Sequence, residues 1–256
     1  MAENADATCD RIVRYLGEKL GIRTEFVTGM PWEERELLFD RGEIHVCWLC
    51  GLPYVWKVDA GAPAIELCAV PVMRHERYGN SPVYFSDVVV RRDSRFGTFA
   101  DLRGASWAYN ERRSHSGYNV VRHYLSALGE DEGYFGSAIE SGAHQTSLRM
   151  ILDRMVDASA IDSTVLEAEL RRHPALESEI RILDAIGPSP MPPWVVHKSV
   201  PGELRAALTE VLTGMHIDTD GRRILDQWGI SHFATTGHAS YRPIREMALA
   251  ADRVRL

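Results

Sequence analysis

Between residues 105 and 185 the chain repeats one pattern three times, and that pattern constrains the fold more than any other feature. A short apolar run ends in small polar residues, and a helix-spaced segment follows. "ASWAY" gives way to Ser114-His115-Ser116-Gly117, after which Val120, Val121, Tyr124, Leu125 and Leu128 fall on one helical face. "SGAHQTSLRMIL" opens a second helix with Leu148, Ile151, Leu152 and Met155 inward, and "VDASAI" runs into Asp162-Ser163 and a third. Apolar runs of strand length alternating with 3.6-period segments predict an α/β architecture.

The flanking segments extend the alternation. Ile12, Val13, Leu16 and Leu20 mark an amphipathic helix, "RTEFVTG" reads as a short strand, and "PWEERELLFDRG" as a helix entered through proline. "EIHVCWL", as part of the longer strand-like run "IHVCWLCGLPYV", is followed by strands at "AIELCAVPV" and "PVYFSDVVVRRDS". After "RILDAIGPSPMPPWVV", read as strand, bend and strand, helices fill most of the remainder, the last near "YRPIREMALAADRV".

Composition narrows the function. With 29 basic and 36 acidic residues the formal charge is −7, which argues against nucleic acid and membrane surfaces, since both need a positive face. No segment is long and apolar enough to span a membrane. "MAENADATCD" lacks the apolar core of an export signal, so the expected place is the cytoplasm, or outside it if a signal was removed. Cys9, Cys47, Cys50 and Cys68 are too few for a disulfide scaffold. Cys47 and Cys50 have redox-pair spacing but sit in a strand-like run, so they read as structural.

Helix starts are where an α/β sheet binds its ligands, because unpaired N–H groups and a partial positive charge favour anions there. Three such starts carry small polar residues between residues 114 and 163. Each alone also fits a simple N-cap, a role that stabilises a helix by about 1 kcal/mol. Gly117 would let a ligand approach the backbone. "DTDG" at 218–221 lacks the later ligands of a calcium loop, and neither a P-loop nor a Gly-x-Ser-x-Gly elbow is present. No metal site and no cofactor are expected.

"PVYFSDVVVRRDS", "FADLRGASWAYNERRSHSGYN", "SGAHQTSLRMILDRMVDASAIDS" and "GPSPMPP" together resemble the phosphate, phosphite and phosphonate-binding proteins of ABC importers. The resemblance implies the two-lobed type II periplasmic binding protein fold, α/β with a hinge between lobes. It places residues 1–86 and 188–256 in a discontinuous first lobe and 87–187 in a second carrying the main anion-binding helix starts. The family ordinarily begins with a strand, whereas this chain begins almost directly with a helix. Carried over residue by residue, the ligand contacts implied are Ser114, His115, Ser116, Gly117 and His144, with Tyr54 and Tyr84 as the matching tyrosines. Asp162 stands where other members place a polar group for the rest of the ligand. The resemblance implies a monomeric solute-binding protein that captures a small oxyanion and delivers it to a permease without chemistry. Alternatives on the same fold are a cytoplasmic enzyme of the menaquinone or thiamine pathway type and a stand-alone small-molecule sensor.

Overall fold

A computed structural model describes residues 3–61 and 64–256; residues 1, 2, 62 and 63, which fall in the expected first lobe, lie outside it. The chain divides into two compact units, Glu3–Val83 with Pro190–Tyr241, and Tyr84–Ser189 with Arg242–Leu256. In chain order the first unit supplies helices α1 (Asp6–Leu20) and α2 (Trp32–Asp40), strand β1 (Val46–Trp48), α3 (Gly51–Asp59) and β2 (Ile65–Met73). The second supplies β3 (Val83–Arg91), β4 (Ser106–Tyr109), a wide turn His115–Asn119 leading into α4 (Val120–Ala127), β5 (Ser137–Glu140) and α5 (His144–Leu152). It continues through β6 (Ala158–Asp162), α6 (Ser163–Arg172), α7 (Leu176–Glu179) and β7 (Ile180–Pro190). The chain then returns to the first unit as β8 (Trp194–His197), α8 (Gly202–Gly214), α9 (Thr219–Trp228) and β9 (Ile230–Ala234), and ends on the second as α10 (Arg242–Ala250).

The first unit is built on a four-stranded antiparallel sheet in the order β1-β8-β2-β9. α8 packs on β2 and β9, and α1 packs on α8 and α9. The strand-like run around the two cysteines divides: β1 stops at Trp48, and Cys50 precedes α3. Gly51–Val55 are all buried and Trp56 is exposed, and the segment is helical from Gly51 to Asp59, a continuous apolar run whose period does not separate strand from buried helix. Tyr54 therefore stands on a helix. No strand forms over "RTEFVTG". The four cysteines are free, and burial pushes the thiols of Cys9, Cys47 and Cys68 up from their ordinary range.

The second unit is organised by a five-stranded mixed sheet, order β5-β4-β6-β3-β7. β5, β4 and β6 are mutually parallel, and β3 runs antiparallel to β6. Both faces are covered, which accounts for the continuous apolar runs. Val88, Val90, Trp107, Ala158 and Ala160 join a core on one face, while Val89, Ala108, Ile161, Leu148 and Ile151 join one on the other. The period-2 alternation of side chains along each strand produces this division.

The chain end departs from expectation. Residues 242–256, expected in the first lobe, belong to the second unit. Val254 is buried in its core. Arg122 on α4 donates through Nε to the Val254 carbonyl at 2.8 Å and through Nη2 to the Asp252 carbonyl at 3.2 Å. A C-terminal segment so placed satisfies its last carbonyls and buries its apolar face at once.

Candidate anion-binding site

The parallel order of β5, β4 and β6 positions the site. Because the three strands point the same way, their carboxyl ends lie on one edge, and each leads into a helix start: Ser114 after β4, His144 after β5 and Ser163 after β6. The sequence identified the three starts; the sheet order puts the first between the other two.

The start after β4 is a wide turn. The Asn119 N–H donates to the Ser114 carbonyl five residues back, at 3.0 Å, the bonding of a π-turn, which is enriched at functional sites. Ser114 caps it, its Oγ accepting from the Gly117 N–H at 3.1 Å. The Ser114 and Ser116 hydroxyls lie 3.4 Å apart, and Ser116 Oγ meets His144 Nε2 at 2.8 Å. Ser114 and Ser116 thus form one connected cluster with His144, 28 residues beyond Ser116. His144 is 7% exposed and its Nδ1 has no hydrogen-bond partner. Burial pushes its pKa down to about 3, so the ring is neutral at physiological pH and holds a single N–H.

His115 is oriented otherwise. It is fully buried, with Nε2 3.0 Å from Ser189 Oγ and Nδ1 3.1 Å from Asn119 Nδ2. An amide NH2 can only donate, so Nδ1 accepts and Nε2 carries the proton toward Ser189. Burial lowers its pKa to about 3. Both ring nitrogens are committed within the unit, which ties the helix start to β7. Tyr84 is buried with its ring 6.5 Å from that of His115.

Asp162 closes β6 and caps α6. Its Oδ1 accepts from Thr164 N–H at 2.8 Å and Thr164 Oγ1 at 2.7 Å. Burial outweighs these bonds and raises its pKa to about 6. Tyr54 is placed in the first unit, where its hydroxyl is 3.4 Å from His238 Nδ1 and its ring packs on Tyr241.

One residue of the site escaped the sequence reading. Asn110, directly after β4, is 8% exposed, and a Cβ added to Gly117 would fall 2.0 Å from its Oδ1. The only sequence signal was its position at a strand end before the serines. Among the described residues no group of three or more His, Cys, Asp or Glu side chains is placed to hold a metal ion, and no helix is long and apolar enough to cross a membrane.

Comparison with known proteins identifies the fold and the family. A binding-protein component of a phosphonate ABC transporter from Pseudomonas aeruginosa superposes with a TM-score of 0.85 at 15% identity, covering 98% of this chain and 83% of that one. A Prochlorococcus marinus protein in complex with methylphosphonate gives 0.81 at 15% identity, covering 98% and 94%. A Xanthomonas citri protein bound to ATP gives 0.72 at 17% identity, covering 98% and 95%. The fold is the two-lobed α/β fold of periplasmic binding proteins. By its family match the chain is a solute-binding protein for a small oxyanion of the phosphonate and phosphate class in an ABC import system, on the extracytoplasmic side. The family described as periplasmic substrate-binding proteins of phosphonate ABC transporters matches residues 2–241, and the chain belongs to that family.

Proposed function

We propose that the oxyanion head group of a phosphonate-class solute is received at the Ser114–Gly117 helix start of the second unit, against Ser116 and His144. The observation that carries this reading is the 2.8 Å contact of Ser116 Oγ with His144 Nε2 at the middle one of three neighbouring helix starts. First-turn N–H groups and the helix dipole favour negative charge. The hydroxyls and the neutral imidazole add donors whose strength rises when the acceptor is charged. Tyr84 and the backbone around His115 are further proposed contacts; Tyr54 is carried by the resemblance alone.

No bond is made or broken in this proposal. A serine beside a histidine is the start of a nucleophilic arrangement, but such a pair needs a third group to orient the imidazole. His144 Nδ1 has no such partner. The monomeric chain would release its solute unchanged to the permease of its import system.

Calorimetric titration of the protein with methylphosphonate, phosphite, phosphate, sulfate and ATP tests this. Saturable binding of a phosphonate-class oxyanion, lost in the Ser116→Ala/His144→Ala double variant, is the expected result. Binding of ATP alone would move the assignment to nucleotides, and unchanged affinity in the double variant would move the site elsewhere.

A further inference from the structure

Asn110 has no part in the fold that explains its side chain. Its backbone is fixed, the carbonyl accepting from the Gly142 N–H at 2.8 Å. Its side chain is more than nine-tenths buried, and Oδ1 has no hydrogen-bond partner. A buried acceptor left unpaired is costly, and such groups are rare without a function. The position is defined by its neighbours: a Cβ on Gly117 would lie 2.0 Å from Oδ1 and 3.2 Å from His144 Cε1. The carboxamide therefore presses on the Cα of Gly117, beside the histidine ring. Its oxygen faces carbon-bound hydrogens there, an arrangement that suits an acceptor and would leave an NH2 group facing them without an acceptor.

The other groups of the cluster are suited to donate: two hydroxyls, one imidazole N–H and the first-turn amides. Hydroxyls and a neutral imidazole donate or accept as the partner requires, whereas the Asn110 carbonyl oxygen only accepts and so adds a fixed preference for a hydrogen-bearing oxyanion over a bare one. Asp162 offers another acceptor, but its carboxyl is committed to capping α6, accepting from the Thr164 N–H and Oγ1 and from the Val165 N–H.

We propose that Asn110 is a specificity-determining residue, its Oδ1 accepting the proton of a P–OH group on the bound oxyanion. The site then takes a hydrogen phosphonate or hydrogen phosphate in preference to sulfate, which has no proton to give at neutral pH. This inference rests on the anion reading of the same helix start and adds the direction in which that site selects.

The test is a pair of titrations, phosphate and sulfate, on the wild-type protein, Asn110→Ala and Asn110→Asp at one pH near neutrality. In the wild type phosphate binds and sulfate does not compete. Asn110→Ala is expected to lower the phosphate-to-sulfate preference by about tenfold or more, the effect of one lost hydrogen bond to a charged group. Asn110→Asp keeps the shape and the acceptor, so it covers the case in which the alanine variant does not fold; it should retain phosphate while excluding sulfate further. An unchanged preference in Asn110→Ala, or equal loss of both anions in Asn110→Asp, overturns the role of Asn110 while leaving the anion site intact. Absence of any oxyanion binding by the wild type is a different result, and removes the anion reading together with this inference.

Discussion

Ser116 Oγ lies 2.8 Å from His144 Nε2, although 28 residues separate them. The contact joins two helix starts that follow different strands, and it makes the serine hydroxyl and the imidazole one unit. Removing the hydroxyl leaves a buried ring nitrogen unpaired. Ser116→Ala is expected to lower stability by about 1–3 kcal/mol and to weaken methylphosphonate binding by about tenfold. Urea denaturation and calorimetry check the two effects separately; full affinity in the variant would place the ligand elsewhere.

His115 and His144 make the protein sensitive to acid. Both are buried and held neutral, with pKa values pushed from 6.5 down to about 3. In the unfolded chain each takes up a proton near pH 6.5, so the stability they confer is complete above that pH and is lost as pH falls from 6.5 toward 3. Between pH 7 and 5 each contributes a loss of about 2 kcal/mol. Denaturation of the wild type and of His144→Gln at pH 7 and pH 5 measures this. The loss between the two pH values should be smaller in the variant by about 2 kcal/mol.

Asp162 has the opposite sign. Its folded pKa of about 6 lies above the ordinary 3.8, so the folded state holds a proton the unfolded state has released. The carboxylate costs stability above pH 6, and that cost disappears as pH falls toward 3.8. Asparagine caps a helix as well as aspartate does and carries no charge. Asp162→Asn should therefore melt no lower than the wild type at pH 7, with a gain of up to about 3 kcal/mol from the charge removed. A drop of several degrees in its melting temperature would show that the cap needs the charge.

Gly117 has no room for a side chain. Alanine there would put a methyl group 2.0 Å from Asn110 Oδ1, and overpacking of this kind costs about 1–3 kcal/mol. Gly117→Ala should be destabilised and bind methylphosphonate poorly. Part of the stability should return when Asn110 is also shortened to alanine, a coupling that a double-mutant cycle reads directly.

The C-terminal segment is expected to be required for the second unit. Val254 is 1% exposed within its core, and Val254→Ala should cost about 2 kcal/mol. Ending the chain after Tyr241 should impair folding more severely, as followed by circular dichroism and solubility, because the apolar face of α4 would be uncovered.

Much of this was legible in the residues. Apolar alternation around Val88–Val90 and Trp107–Tyr109, set against helical spacing after Ser114 and Ser163, determined an α/β chain, and the serine and glycine pattern marked the helix start. Period and capping chemistry are local, so they survive in a single sequence. The run through Cys47 to Val55 was misread because a short apolar stretch fits both a strand and a buried helix. Only the tertiary structure decided that β4 lies between β5 and β6. That order gathers Ser116 and His144, and the path of β7 brings Ser189 to the His115 ring. Strand order and the burial of Asn110 against Gly117 arise from contacts between residues far apart in the chain, for which no local pattern of residue types is diagnostic.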